Sequence, residues 1–577
     1  MALDTWTLIS ERIKSLKGLY DRMDETEKLL YMEDFILTQS DGKTKMDKVI
    51  NVTGNRVATY GQRVIENLAS YKWQTMVEGD INKRDSHKIE EFLNAMMAET
   101  NEYLNEGQDD TPDLYTFWAK HVCNRGRIGA LWMSWVENGE YKIHCTPLDM
   151  RWTPYVKGKW VAPIYFLNKE DLELELEGFE RRAVDDKIGE YSKVKFSGFK
   201  EIEVREYWDK KKHELWISGG QVYNEPNTYG ILPFVSVVAP SGFMLRGKGF
   251  EEHEGEDIYF LIKKLNKELN RSLSIEQTLG MDVYRPPYQK AARTANVDGS
   301  PAPPYPETGS VSEVVEGEKY DLIPRGDMNR ASFAAREDIV KMMDEGAPMQ
   351  PRAYTQPPSA VEVATEVELL NQLYNSRVTA LQMGLSQLYR LMIDMTIKAG
   401  ESYKGEVQIG GLGKKQQFSL VQLKDPKNYS VSCRLMTKNT KLEIINEARA
   451  LALWGRAPLK YILEDILQVE DPAGWERALD LQKAKEADPV INLAEMGVRY
   501  AEEAEDMEDS TEKALKVFQS KRLIQRAVQM LKQEQAPPQL PEGEKGNANS
   551  LIALTGASAR GGKSVQLPTR QEVIPNA

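Results

Sequence analysis

A repeating pattern of apolar residues near the centre of the sequence constrains the fold more than any other feature. The pattern advances in steps of three and four through Val363, Val367, Leu370, Tyr374, Val378, Leu381, Leu385, Leu388, Met392 and Met395. This spacing predicts one amphipathic helix of ~40 residues, which would be ~60 Å long. Ser359 as N-cap and Glu362 three residues later form the capping box that starts such a helix. Gly384 lowers helix propensity by about 1 kcal/mol and is a candidate position for a bend.

Two further helices are predicted before this one, separated by a proline-rich insert at 281–325. The first runs from about Phe250 to Leu279, ~45 Å at 1.5 Å per residue, with apolar positions at Ile258, Leu261, Ile262, Leu265, Leu269 and Leu273. The second runs from about Met328 to Asp344. A small domain of the same chain is not expected to cover a helix as long as the first, so other copies of the chain are candidates to cover it.

The rest of the sequence divides into regions with helical and with strand-like residue patterns. The first ~110 residues follow helical spacing, and alternation such as Tyr141, Ile143 and Cys145 predicts strands between Gly129 and Val238. Residues 406–435 return to a strand pattern, and 440–535 are helical and strongly charged. The tail beyond this, 536–577, is rich in Gly, Ser, Asn and Pro and is predicted to be disordered. The fold class is therefore α+β and mostly helical, and its tryptophan-rich β region is predicted to pack as core.

Composition narrows the classes of function. A chain of 577 residues predicts about two to four folding units. A net charge of −13 argues against a protein that grips nucleic acid over a broad surface, because tight phosphate binding needs clustered Lys and Arg. The three cysteines and five histidines never fall at metal-ligand spacing, so the sequence predicts no metal and no cofactor. No membrane span or signal peptide is recognised, which predicts a protein that stays in the cytoplasm or travels with an assembly.

One motif resembles a phosphate-binding loop but fails on inspection. Gly556–Ser564 differs from GxxxxGK[ST] because the required first glycine falls on Ala557, and only 13 residues follow Ser564. A phosphate loop needs a following helix and a parallel sheet. A second glycine-rich segment, Gly410–Lys415, is typical of a hairpin loop. Because no nucleophile, acid–base pair or metal motif is found, the sequence predicts no enzyme.

The order of these pieces resembles the portal proteins of tailed bacteriophages. The resemblance spans about 230–435 and is carried by LPFVSVVAPSGFMLRGKGF leading into EEHEGEDIYFLIKKLNKELNRSLSIEQTLG, by the proline-rich insert, by the returning helix and by SAVEVATEVELLNQLYNSRVTALQMGLSQLYRLMIDM. It implies an N-terminal wing, a stem helix, a clip, a second stem helix, a tunnel loop, a long wing helix with wing strands, a helical crown and a tail. These regions correspond to 1–249, 250–280, 281–325, 326–346, 347–358, 359–435, 436–535 and 536–577.

The resemblance also implies which residues contact which partner. The subunit interface of the stem would be formed by Ile258, Leu261, Ile262, Leu265 and Leu269. The tunnel loop would approach DNA through Pro348, Pro351, Arg352, Tyr354 and Pro357, although Arg352 could equally pair with a carboxylate of a neighbouring subunit. The clip would contact partners through Arg285, Lys290 and Arg293, and a merely solvated surface is as good an interpretation of each.

The function that this resemblance implies is structural. Twelve copies would form a ring at one capsid vertex, with a formal charge of about −156 (12 × −13), through which double-stranded DNA passes loosely during packaging and ejection. The implied partners are the terminase, neck or adaptor proteins and the major capsid or scaffolding protein, with no membrane. The location would be the virion, and the host cytoplasm during assembly. The alternatives are another head-neck structural subunit or an enzyme acting on nucleic acid.

Overall fold

The long central helix organises the fold. A computed structural model describes residues 4–39, 41–46, 49–106, 113–137, 140–168, 172, 201–217, 219–241, 247, 249–284, 288–291, 319–322, 330–347, 360–402, 406–423, 425–436, 440–469, 472–505 and 510–535. The chain divides into two compact units, 1–476 and 477–577. The fold is α+β and mostly helical, which confirms the predicted class.

The N-terminal part of the first unit alternates helices with strands. Its helices are α1 (Thr5–Ser15), α2 (Lys17–Leu30), α3 (Arg56–Ala69), α4 (Lys83–Glu106) and α5 (Leu114–Asn124). Its strands are β1 (Lys72–Gly79), β2 (Arg127–Glu137), β3 (Glu140–Pro147), β4 (Tyr155–Val156), β5 (Trp160–Val161), β6 (Ile164–Leu167), β7 (Ile202–Asp209), β8 (Lys212–Ile217), β9 (Gly220–Pro226) and β10 (Phe234–Val238).

The remaining elements begin with α6 (Phe250–His253) and α7 (Lys263–Tyr284), followed by the strands β11 (Tyr288–Ala291) and β12 (Lys319–Leu322). Next come α8 (Arg330–Gly346), the long α9 (Ala360–Ser402), β13 (Glu406–Ile409), β14 (Gln416–Ser419) and β15 (Tyr429–Met436). The C-terminal helices are α10 (Thr440–Leu453), α11 (Leu459–Tyr461), α12 (Pro472–Ala487), α13 (Pro489–Glu505) and α14 (Ser510–Gln535).

The strands form antiparallel sheets of different sizes. The largest has the order β4-β5-β7-β8-β9, with β6 also pairing with β7, and a three-stranded sheet has the order β10-β2-β3. Three two-stranded sheets pair β1 with β15, β11 with β12, and β13 with β14. Trp132, Trp160, Trp208 and Trp216 are buried, so most of the tryptophan-rich region is core, as predicted, whereas Trp152 is exposed.

The main core of the first unit is built around α9. Leu381, Leu385, Leu388 and Met392 are fully buried there, which confirms the predicted apolar stripe. The helix continues without interruption through Gly384, where an added Cβ would lie 2.5 Å from the Ile128 Cδ1 atom. The glycine therefore permits close contact between α9 and β2, which accounts for its presence inside a helix.

The second unit contains the helix pair α13 and α14. The Ser520 hydroxyl donates a hydrogen bond to the Gly497 carbonyl at 2.6 Å, and an added Cβ on Gly497 would lie 2.6 Å from a side-chain carbon of Ile524. Glycine is thus required where these two helices touch. All three cysteines of the chain lie in the first unit, are free and are buried, and burial raises the pKa of the Cys123 and Cys433 thiols to about 12. They behave as apolar core residues, as the sequence predicts.

Candidate functional site

Helices α7 and α8 form an out-and-back excursion from the core of the first unit. α7 has 22 residues and α8 has 17, so they are ~33 Å and ~25 Å long at 1.5 Å per residue. At the far end β11 pairs antiparallel with β12, with Tyr288 opposite Leu322. The sequence predicts one helix before and one after a proline-rich insert, and α7 and α8 lie on either side of that insert. We call the described residues of 263–346 the excursion.

The two helices pack against each other along their length. Arg336 of α8 forms an ion pair with Glu276 of α7. Nearer the base, Met343 is fully buried in the same core as Ile262, and an added Cβ on Gly346 would lie 3.2 Å from the Ile262 Cγ2 atom. The excursion is therefore a helix pair with a packed base.

The start of the first helix differs from the sequence prediction. The apolar pattern predicts one helix from Phe250, but α6 ends at His253 and α7 begins only at Lys263. Gly255, with φ +68°, has a left-handed backbone conformation that interrupts a right-handed helix. An added Cβ on Gly126 would lie 1.8 Å from the Gly255 carbonyl oxygen, so the two glycines are in close backbone contact.

The segment Glu251–Asp257, which includes the end of α6 and the residues after it, is held by arginines from three elements, and we call it the anchoring turn. Arg22 of α2 donates to the carbonyls of Glu252 and Gly255, the latter at 3.0 Å. Arg127 of β2 donates to the carbonyls of Glu251 and Glu254 at 3.1 and 3.2 Å. Arg377 of α9 donates to the carbonyl of Glu256. Helix α2, strand β2 and helix α9 are thereby tied to one turn.

Arg22 and two carboxylates of the anchoring turn, Glu256 and Asp257, are largely shielded from water. Burial lowers the pKa of the Arg22 guanidinium, and its ion pair with Glu256 at 3.1 Å opposes that effect. Burial likewise lowers the pKa of Arg377. An arginine remains protonated at neutral pH, and hydrogen bonds from a charged donor stabilise a fold by about 1.5–3 kcal/mol each. The base of the excursion is therefore fixed to the first unit.

A polar ladder fastens a second segment along α7. Asn270, Ser274 and Thr278 accept hydrogen bonds from the backbone N–H groups of Gly54, Val52 and Ile50, at 3.0, 2.9 and 3.0 Å. Four helical residues rise about 6.0 Å and two extended residues span about 6.6 Å, so the two spacings match. We call residues 49–54 the strap.

The strap also supports a hairpin that precedes it, in which Thr38 and Lys45 form an isolated antiparallel bridge. Asn51 and Thr53 accept hydrogen bonds from the N–H groups of Leu37 and Phe35, at 2.9 and 2.8 Å. Gly54, Val52 and Ile50 of the strap thus bond to α7 through their backbone N–H groups, whereas Asn51 and Thr53 bond to the hairpin through their side chains. Sequence analysis missed this arrangement, although the four-residue spacing of Asn270, Ser274 and Thr278 on one helix was a visible signal.

Three of the five residues predicted for the stem interface are covered by their own chain. Ile258, Ile262 and Leu269 are 7%, 0% and 6% exposed and belong to the main core. The predicted subunit interface stays a prediction. Leu265 is partly buried against the same core, and Leu261 alone is open, at 55% exposure. Sequence analysis missed the other exposed apolar side chains of this region, which are Phe260, Ile275, Met281, Phe333 and Met342.

Most of the predicted DNA and clip contacts lie outside the described residues. This applies to Pro348, Pro351, Arg352, Tyr354 and Pro357 of the predicted tunnel loop, and to Arg285 and Arg293 of the predicted clip. Lys290 lies in β11, opposite Tyr320 of β12. Those assignments stay predictions.

Searches of the described residues for a metal site and for a membrane-spanning helix find neither. Within the described ranges, no group of three or more His, Cys, Asp or Glu side chains is arranged to hold a metal ion. In the same part of the chain, no helix combines the length and the apolar composition that crossing a membrane requires. We take as the candidate site the surface of the excursion together with its anchored base.

Comparisons with known proteins give matches among solved structures alone. No family model and no curated protein matches the chain. The neck of an empty gene transfer agent (GTA) particle, computed with C6 symmetry, matches at 11% identity and a TM-score of 0.34, covering 71% of this chain and 90% of the other. The neck of the native particle, computed with C12 symmetry, matches at 11% identity and a TM-score of 0.32, covering 72% and 90%. A chain of the native virion matches at 8% identity and a TM-score of 0.30, covering 71% and 88%.

Proposed function

We propose that this chain is a structural subunit of a tailed-phage-type head-neck assembly. Within that class we assign it to the portal, the ring at one capsid vertex through which DNA enters and leaves. The observation that carries the proposal is the excursion, a helix pair whose base is fixed to the first unit and whose outward faces carry exposed apolar and charged side chains. Leu261, Ile275 and Met342 are among these exposed side chains.

A ring gives those outward faces a physical role. A single subunit leaves Leu261 at 55% exposure and Met342 at 47%, next to a base that is firmly anchored. Copies placed side by side in a closed ring cover such faces in every subunit at once. In this proposal the helix pair is the stem, 281–325 the clip, 347–358 the tunnel loop and 436–535 the crown.

The net charge of the chain fits a channel through which DNA slides better than a protein that binds DNA tightly. At −13 per subunit, a ring of about twelve copies repels the phosphate backbone overall. DNA can then slide, because attraction at every phosphate would hold it in place. The proposal makes the clip the docking site for the terminase and later for neck or adaptor proteins, and leaves ATP hydrolysis to the terminase.

Mass photometry and negative-stain electron microscopy of the purified full chain test this proposal. We expect a single oligomer of about 790 kDa for twelve copies of 65.7 kDa, seen as a ring with an opening wide enough for duplex DNA. An assembly without such an opening would contradict the assignment to the portal and would leave the broader assignment, a head-neck structural subunit. A monomer that hydrolyses ATP or cleaves DNA would contradict both assignments.

A further inference from the structure

The outward face of α7 is basic. Lys264, Lys267, Glu268, Arg271 and Ile275 are all exposed and follow steps of three and four, so they lie on one face of the helix. Three positive charges and one negative charge give that face a formal charge of +2. It turns away from α8, because the residue of α7 that pairs with α8, Glu276, lies about 100° or more around the helix from this face's centre.

The outward face of α8 is acidic. Glu337, Asp338, Lys341 and Glu345 are exposed, with a formal charge of −2, and Met342 lies beside them. The opposite side of α8 is the one that packs, since Arg336 contacts α7 and Met343 is fully buried. The helix pair thus carries opposite charge on two faces that point away from each other.

The ion pairs already present on these faces do not prevent a further contact. Lys267 pairs with the partly exposed Glu25 at 2.6 Å, and the more exposed pairs are Arg271 with Glu268 at 3.3 Å and Lys341 with Asp338 at 4.0 Å. Ion pairs at the surface stabilise a protein little, so they exchange readily for a pairing that is more shielded. Lys264 and Glu337 have no ion-pair partner among the residues that the structure describes.

We infer that the basic face of α7 in one subunit binds the acidic face of α8 in the next copy of this chain. Each copy carries both halves of the contact on different sides, which is the geometry of a head-to-tail interface that closes into a ring. A second copy is the favoured occupant because it alone supplies the complementary charge to both faces at once. This inference rests on the proposed ring and specifies which helices meet within it.

Charge reversal tests the pairing. The variant Lys264→Glu/Arg271→Glu places acidic faces against each other, and Glu337→Lys/Asp338→Lys places basic faces against each other. We expect each double variant to lower the assembled fraction by about tenfold or more at low salt, because like charges opposed at an interface repel each other. The quadruple variant exchanges the two signs and is expected to assemble again. Lys157→Glu/Lys159→Glu, at an exposed loop of the large sheet, is the control for net charge and should assemble as the wild type does.

Mass photometry reads the assembled fraction, and circular dichroism reads the fold of each variant. Double variants that assemble normally, or a quadruple variant that stays dissociated although folded, would overturn the inference. If a double variant fails to fold, salt titration of the wild type decides. Assembly should weaken between about 0.05 and 0.5 M NaCl, and assembly that does not weaken would overturn the pairing. If the wild type forms a ring and the variants assemble as it does, this inference alone is wrong. If the wild type forms no ring, the proposed function is wrong.

Discussion

At the scale of single residues, the base of the excursion depends on two glycines that no side chain can replace. Gly126 and Gly255 have φ values of +64° and +68°, and each backbone lies against the other. A methyl group at Gly126 meets a backbone carbonyl, which cannot move aside as a flexible side chain would. The sequence contains 40 glycines, so this pair becomes visible only when the fold brings residues 126 and 255 together.

Gly126→Ala is expected to destabilise the protein by more than the cost of its backbone conformation. A left-handed conformation costs an alanine about 1–2 kcal/mol, and displacing the anchoring turn adds to that cost. Gly158→Ala is the matched control, because Gly158 has φ +71° and open space around the added Cβ. Thermal unfolding measures both. Equal losses of stability in the two variants would show that the contact with Gly255 is unimportant.

His121, near the C-terminal end of α5, makes the protein sensitive to acid. Its ring stacks on Phe117 at a centroid distance of 4.0 Å, and its Nδ1 atom lies 3.7 Å from an oxygen of Asp149. Burial lowers the pKa of His121 from 6.5 to about 4, although Asp149 opposes the shift. Neutral His121 is therefore the form that the fold accommodates.

Stability is expected to fall as the pH drops from about 6.5 to about 4. A histidine whose folded pKa is lowered stabilises the fold fully above its unfolded value of 6.5, and the contribution is lost as the pH falls through the folded value of about 4. The loss amounts to about 3 kcal/mol. His121→Gln should flatten the dependence of the unfolding midpoint on pH in this range. An unchanged slope for His121→Gln would contradict the assignment.

At the scale of elements, the strap and α7 are held together by matched spacing. The ladder satisfies three backbone N–H groups with side chains that α7 presents every four residues. A side chain that accepts a bond from the backbone of a distant segment fixes that segment without a sheet. The strap is thus the N-terminal support of the first helix of the excursion.

Ser274→Ala is expected to loosen the strap. It leaves the partly buried N–H of Val52 without its acceptor, which costs about 1–3 kcal/mol. Hydrogen exchange of the amides of residues 50–54 should accelerate by a matching factor of about 5–150. Ser272→Ala, on another side of the same helix, should leave that exchange unchanged. Equal protection in both variants would show that the ladder does not hold the strap.

How well each element could be predicted depends on whether its signal is local. Helix α9 is anticipated closely, because a period of three and four over ~40 residues has few other solutions. The start of α7 is misplaced by 13 residues, because Gly255 and its contact with Gly126 act through the tertiary fold. Apolar periodicity identified Ile258, Ile262 and Leu269 as buried, but it does not tell which chain buries them.

At the scale of the whole molecule, the exposed apolar side chains and the distribution of charge are the two features on which the proposed assembly depends. Eleven of the twenty-six large hydrophobic side chains that are exposed among the described residues lie beyond residue 440, and six lie on α7, α8 or the turn before α7. Scattered exposed apolar residues are ordinary, but these follow particular helices. The order of helices, insert and long helix could be predicted from sequence, whereas the opposed charges of α7 and α8 required knowledge of which faces stay open.

A symmetric cryo-electron microscopy reconstruction of the assembled full chain tests the central claim most directly. We expect a ring whose axial opening admits duplex DNA, with the excursions of adjacent subunits side by side around it and α7 of each subunit against α8 of the next. An assembly without an axial opening, or one in which the outward faces of α7 and α8 point into solvent in every subunit, would contradict the account.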